Sequence, residues 1–465
     1  MTGVQTCALP ISAADPRAFW ADQARALLTW RTPFTKTLEW ELPFATWFAD
    51  GTLNVAENCV DRHVAAGHGE RVAFYWVGEP GDRRTVTYND LHREVQKTAN
   101  ALKALGVQQG DRVAIYMPMV PEVAVAMLAC ARIGAAHSVV FSGFPANALA
   151  DRINDAEAKV LITADGGYRK GTFFELKPIA DEALRSTPSI TGVLVYRRRR
   201  AETSGETVMQ AGRDHWWSDL VDAQVAACPA DPMPAEQLLF LLYTSGTTAK
   251  PKGIMHTSAG YLLGAALTHK NVFDIKPDDT YWCAADVGWI TGHTYIVYGP
   301  LANGATQVMY EGTPDTPAWD RWWSIVEELQ VSILYCAPTA IRAFMRQGEE
   351  HPRKHNLQSL RVVRRALHVE RPDLVHPQHP RRPGPGGVLV DQPERDAPQP
   401  RERGSSLYDG GRSRIPGGAG SPEVDGRPGL GERRVELEVR ELGQIVDTMQ
   451  EDRKSTRLNS SHMSE

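Results

Sequence analysis

Between about residue 70 and residue 350, short β-branched apolar runs alternate with segments of helical length. "DRVAIYMPM" (111–119) is a strand-like run, and "PEVAVAMLACARIGAA" (121–136) follows it, with Pro121 suited to a helix's first turn and Gly134 to its end. The unit recurs as "HSVVFS", "NALADRINDAEA" and "KVLITAD", and again as "TYWCAAD", "TQVMYEG" and "SILYCAP" with "AWDRWWSIVEELQ" and "TAIRAFMRQG" between and after them. Buried strands alternating with crossover helices predict an α/β fold with doubly wound parallel sheets. In such folds ligands sit beyond the carboxyl ends of the strands.

One loop has that position. "QLLFLLY" (237–243) reads as a buried strand, and Thr244 opens the run "TSGTTAKPKG" directly after it. Glycines there let backbone N–H groups approach an anion, the hydroxyls of Thr244, Ser245, Thr247 and Thr248 can donate to phosphate oxygens, and Lys250 or Lys252 can neutralise charge. The loop is not a Walker A motif, because Pro251 stands five residues after Gly246 and Ile254 follows Gly253.

Composition sets the surroundings. A chain of 465 residues can bury more than one sizeable core, and a formal charge of −5 does not suggest a dedicated nucleic-acid binder. The six cysteines, Cys7, Cys59, Cys130, Cys228, Cys283 and Cys336, form no CxxC pair and no zinc-type cluster, so reduced thiols and no protein-held metal are expected. No apolar stretch approaches the roughly 18 residues a membrane helix needs, and "MTGVQTCALPIS" lacks the basic start and apolar core of a signal peptide. A cytoplasmic protein without membrane or nucleic-acid partners is expected.

"YTSGTTAKPKG" resembles the phosphate loop of the AMP-forming adenylating superfamily of acyl-CoA synthetases, luciferases and peptide-synthetase adenylation domains. "LEWELPFATWFADGTLNVAENCVDRHV" (38–64), "HSVVFSGF" (137–144), "KVLITADGGYRKG" (159–171), "YWCAADVGWITGHTYIVYGPLANGAT" (281–306) and "LYCAPTAIRAFM" (334–345) narrow the resemblance to its acetyl-CoA synthetase branch. It covers roughly residues 18 to 363, as a cap segment over 18–75 and an incomplete AMP-binding domain over 76–363.

The resemblance implies a two-step ligase with acetate, ATP and CoA as substrates and Mg²⁺ carried by ATP. Acetate attacks the α-phosphorus, pyrophosphate leaves, and the CoA thiol then displaces AMP. Thr244 and Lys252 would act on the departing phosphates, with Ser245, Gly246, Thr247, Thr248 and Gly253 completing the cradle. Trp289, Ile290 and Thr291 would wall the acid pocket, although core packing alone would also account for Trp289. Such a wall discriminates by only about 1–3 kcal/mol per methylene, so propionate stays open as a substrate. Arg169, Thr172, Thr291 and Asp315 match positions that contact CoA; Thr172 replaces a frequent basic residue and Asp315 a frequent Asn, and Asp315 would be unfavourable near phosphate unless it points away. His256 and His293 lack spaced partners for metal binding or a Ser/His/Asp relay and read as structural or substrate-orienting.

After "NLQSLRVV" (356–363) neither period 2 nor period 3.6 can be followed, and Pro, Gly and Arg dominate. No lysine occurs between Lys354 and Lys454 although arginine is abundant, as expected of a GC-rich gene read out of frame. A frameshift near residue 363 is expected, and the ends "MTGVQTCALPIS" and "DRKSTRLNSSHMSE" resemble translated adapter sequence, which puts a non-native leader at 1–17 and an irregular tail at 364–465. The family's adenine-binding turn, ribose-binding Asp, hinge and adenylation Lys all belong to that lost stretch, so the chain as written is expected to be inactive or nearly so. Two alternatives remain: a non-catalytic nucleotide or acyl-CoA binding remnant, and a genuine disordered Arg/Pro-rich arm. Oligomeric state leaves no trace in the sequence.

Overall fold

The computed structural model describes residues 15–41, 44–201, 203–244 and 251–365. Two large sheets carry the described part. The first has seven strands in the order Asp214–Trp216, Gly192–Tyr196, Val160–Ala164, Arg112–Tyr116, Ala136–Val139, Leu238–Thr244, Lys252–Thr257. The second has six: Val362–Arg365, Ile333–Cys336, Thr280–Ala284, Thr306–Glu311, Val72–Gly78, Arg83–Thr87. Each is parallel except at one edge, where Lys252–Thr257 and Arg83–Thr87 return antiparallel to their neighbours. The doubly wound expectation holds, with those antiparallel edges added to it.

The period-2 pattern explains the layers. In strand Arg112–Tyr116, Val113 and Ile115 join the core between the two sheets, while Ala114 and Tyr116 join a second core on the outer face. Helix Pro121–Arg132 fills the space between the sheets, and all twelve of its residues are buried. Its apolar residues run all round, as a helix with no solvent face requires. Pro121 sits in the first turn, and Gly134, at φ +71°, reverses the chain after the last. Helix Ala146–Ala156 covers the outer face of the first sheet. Helix Arg321–Glu328 and Phe344 cover the outer face of the second through Trp282, Val308 and Leu334.

This arrangement fixes where a ligand can enter. In the first sheet the chain passes from Arg112–Tyr116 to a neighbour on one side, Ala136–Val139, and next to a neighbour on the other, Val160–Ala164. Crossovers that leave in opposite directions part the loops at the strands' carboxyl ends and open a crevice there.

Candidate functional site

A cleft of about 680 Å³ occupies that crevice. Pro118 and Met119 follow strand Arg112–Tyr116, Phe141 and Ser142 follow Ala136–Val139, Ala285 and Asp286 follow Thr280–Ala284, and Gly312 and Thr313 follow Thr306–Glu311. Strand ends of both sheets therefore meet in one cavity.

Three of the residues expected at the acid and CoA sites line it: Arg169, Trp289 and Thr291. Trp289 is 50% exposed, so core packing is not its role. Its ring lies 5.8 Å from Phe141 and 6.2 Å from Phe144, centroid to centroid, and forms an aromatic wall with them. The turn beneath is tight, because a Cβ on Gly292 would stand 2.2 Å from the Asp286 carbonyl oxygen. Ile290, partly buried, starts the short helix Ile290–Gly292 and packs against the central core. His293 is fully buried behind this turn with Nδ1 3.1 Å from the Trp289 carbonyl, and burial lowers its pKa to about 4, so its ring is neutral at pH 7.

Arg169 arrives on a separate two-stranded hairpin, Gly166–Arg169 with Thr172–Glu175, in which Arg169 pairs with Thr172. Lys170 and Gly171 form its two-residue turn at φ +53° and +75°, the left-handed pair such hairpins favour. Thr172 is exposed and its hydroxyl donates to the Arg169 carbonyl at 3.1 Å, which makes it part of the turn. The Arg169 guanidinium lies 5.9 Å from the Phe141 ring, within reach of the Trp289 wall. Asp315 follows Pro314, which lines the cleft, but is not itself among the lining residues.

Thr244, Lys252 and Gly253 sit elsewhere. Thr244 pairs with Lys252 and Tyr243 with Gly253 at the end of the antiparallel strand pair where the chain passes from one strand to the other, and neither Thr244, Lys252 nor Gly253 lines the cleft. Ser245, Gly246, Thr247 and Thr248 lie outside the described residues. His256 stacks on Phe240 at 4.4 Å.

The structure adds acidic groups that the motifs did not single out. Burial raises the Asp286 carboxyl to about 6, opposed by the Gly288 N–H, which donates to Oδ1 at 2.7 Å, and by the charge of Arg169. Burial likewise raises Glu311 to about 7, against the opposing pull of Arg198. Both line the cleft. The signal was available, since each acidic residue ends or closely follows a strand-like run, "TYWCAAD" or "TQVMYEG", where ligand-facing groups gather in such sheets. Their perturbation depends on burial, which the local sequence does not carry. Among the described residues no cluster of three or more His, Cys, Asp or Glu side chains could hold a metal, the five described cysteines are buried and free, and no helix is long and apolar enough to cross a membrane.

A crevice at the switch point of a doubly wound sheet, walled by aromatics and faced by Arg169, is where α/β proteins of this architecture bind their ligands. The sequence profile described as AMP-binding enzyme matches residues 61–373, and the chain belongs to that family. The profile described as acetyl-coenzyme A synthetase N-terminus matches residues 10–59. Within the family the chain is similar to acetyl-coenzyme A synthetases: that of Streptomyces coelicolor is 61% identical over 352 residues, covering 75% of this chain and 53% of the relative. The Gemmatimonas aurantiaca protein is 59% identical over 354 residues, covering 76% and 54%. The Mycobacterium tuberculosis H37Rv protein is 58% identical over 354 residues, covering 75% and 54%. The chain thus spans about half the length of the curated relatives it matches.

Proposed function

We propose that residues 18–363 are the first part of an acetate:CoA ligase that works through an acyl-adenylate. The observation that carries this reading is the meeting of Trp289, Thr291 and Arg169 in one cleft at the strand ends, in a chain of this family. An acetate oxygen bonds to the α-phosphorus of ATP as the bond to pyrophosphate breaks. The CoA sulfur then bonds to the acyl carbon, AMP leaves, and the thiol proton passes to solvent.

The Trp289 wall, with Ile290 behind it, limits the acid to a short chain, and the Thr291 hydroxyl orients its acyl group. Thr244, Lys252 and Gly253, with Ser245, Gly246, Thr247 and Thr248, hold the leaving phosphates, where stabilising developing charge is the main catalytic contribution. Mg²⁺ arrives with ATP and neutralises part of that charge. Arg169 takes a phosphate of CoA through its planar guanidinium, with Thr172 shaping the turn and Asp315 contributing from the loop after strand Thr306–Glu311. The reading includes a cytoplasmic location and small-molecule substrates, with no nucleic-acid or membrane partner.

The division into a leader (1–17), a cap segment (18–75), an incomplete AMP-binding domain (76–363) and an out-of-frame tail (364–465) belongs to the same proposal. In the complete ligase an adenylation lysine and a closing domain would supply positioning worth about 7–11 kcal/mol of barrier, so exchange should depend on them. Acetate-dependent ATP–pyrophosphate exchange tests this, run on the chain as written and on the product of a frame-restored gene. Exchange by the restored product alone supports the proposal. Ligand binding without exchange by either would favour a non-catalytic remnant, and faster exchange with propionate would change the substrate.

A further inference from the structure

The hairpin that carries Arg169 belongs to neither large sheet, so something must hold it over the cleft. Two acidic side chains do. Glu79 directly follows strand Val72–Gly78 and is 6% exposed. Its Oε1 accepts from the Gly171 N–H at 2.8 Å, in the hairpin turn, and its Oε2 accepts from the Thr313 N–H at 3.0 Å, in the loop after strand Thr306–Glu311. Glu311 ends that strand and accepts from the Tyr168 N–H at 3.2 Å, one residue before Arg169. Strands Val72–Gly78 and Thr306–Glu311 are paired neighbours, with Glu311 opposite Gly78, so both carboxylates leave one edge of the cleft together.

We propose that Glu79 is a positioning residue for the Arg169 guanidinium, coupling the hairpin turn of one cleft wall to the Thr313 loop of the other. The inference rests on the reading that Arg169 receives a phosphate of CoA. The chemistry of the brace is specific, because both oxygens of Glu79 accept and both partners are backbone donors. A carboxylate satisfies two N–H groups, whereas an amide offers one acceptor and turns a donor toward the second. The space is equally committed: a Cβ on Gly312 would stand 2.4 Å from the Tyr310 hydroxyl oxygen and 3.0 Å from Glu79 Oε2. The turn needs holding, since Lys170 is a non-glycine residue in the left-handed region, a conformation that costs about 1–2 kcal/mol.

The test uses the full chain, with calorimetric titration of CoA and amide hydrogen exchange. In Glu79→Gln, CoA affinity should fall roughly fivefold to tenfold, while exchange quickens in residues 166–175 and around Thr313. In an Arg169→Ala background the same substitution should leave CoA affinity within about twofold, because its effect acts through Arg169; near-independence of the two changes would overturn the proposal. Unchanged exchange of the hairpin in Glu79→Gln would also overturn it. Should Glu79→Gln fail to fold, the parent's Gly171 and Thr313 amides decide: protection supports the brace, and exchange at the rate of free loop amides refutes it. Gly312→Ala gives an independent variant with the same expected direction. If the parent binds no CoA, the functional reading fails, while hydrogen exchange still decides whether the brace exists.

Discussion

Arg198 Nη2 stands 2.6 Å from Glu311 Oε2, both side chains are almost wholly buried, and Glu311 lines the cleft. Arg198 has a second partner, with Nη1 3.0 Å from Asp82 Oδ2, and its guanidinium lies 5.0 Å from the Trp76 ring. Glu311 receives Arg198 through both Nε and Nη2 and has the Tyr168 N–H besides. The pair is therefore asymmetric.

Removing Arg198 strands a buried carboxylate, whereas neutralising Glu311 leaves Arg198 with Asp82. Arg198→Ala should cost about 3–5 kcal/mol, the usual loss when one partner of a buried pair is deleted. Glu311→Gln should cost about half as much or less, since the amide oxygen still accepts from Arg198 and only the bond to the Tyr168 N–H is given up. Urea denaturation of both variants at pH 7.5 checks the order, and equal losses would contradict it.

Asp286 gives a pH dependence with a definite sign. Its folded-state pKa is raised from 3.8 to about 6, chiefly by burial. The native state therefore holds its proton more tightly than the unfolded chain, and the stability this contributes is present below about pH 4 and lost as pH rises through about 6. Asp286→Asn keeps an acceptor for the Gly288 N–H and cannot ionise. Relative to the parent, it should gain about 2 kcal/mol between pH 4 and pH 7, allowing for the intermediate exposure of the residue as a whole, and gain nothing further above that. Urea midpoints across this range provide the check, and a difference that does not change with pH would contradict the assignment.

Gly292 is a matter of space. A Cβ there would meet the Asp286 carbonyl oxygen at 2.2 Å and the Val287 Cα at 2.5 Å, and backbone cannot swing away as a side-chain tip can. Gly292→Ala should cost about 3 kcal/mol, near the upper end of ordinary overpacking. Gly264, whose added Cβ would meet nothing within 4 Å, is the matched control within helix Ser258–Val272, and Gly264→Ala should be neutral or stabilising by about 1 kcal/mol. Thermal unfolding of the two variants side by side tests this.

Local pattern carried much of the fold. Helix Pro121–Arg132 is legible from Pro121, Gly134 and an apolar run of the right length, and strand Thr306–Glu311 from "TQVMYE". Strand Val72–Gly78 lies beside Thr306–Glu311, with Met309 opposite Trp76, and a pairing across more than two hundred residues leaves no local trace. The site divides the same way. Trp289, Thr291 and Arg169 came from motifs, whereas the bond from Thr313 N–H to Glu79 spans 234 positions and follows only from the assembled strands. The acidity of Asp286 was hidden because it arises from burial by neighbours distant in sequence.

That residues 18–363 open an acetate-activating enzyme is tested most directly by resequencing the gene across codons 355 to 455 and translating all three frames. A single-base change near codon 363 that restores a tryptophan-rich segment resembling "WWQTE", followed by continuous strand and helix periodicity, is the predicted result. If the frame stands as written and no frame yields such a segment, residues 18–363 are followed by a genuine Arg/Pro-rich tail, which contradicts the account, and acetyl-CoA synthesis by this chain would then have to be shown by exchange activity.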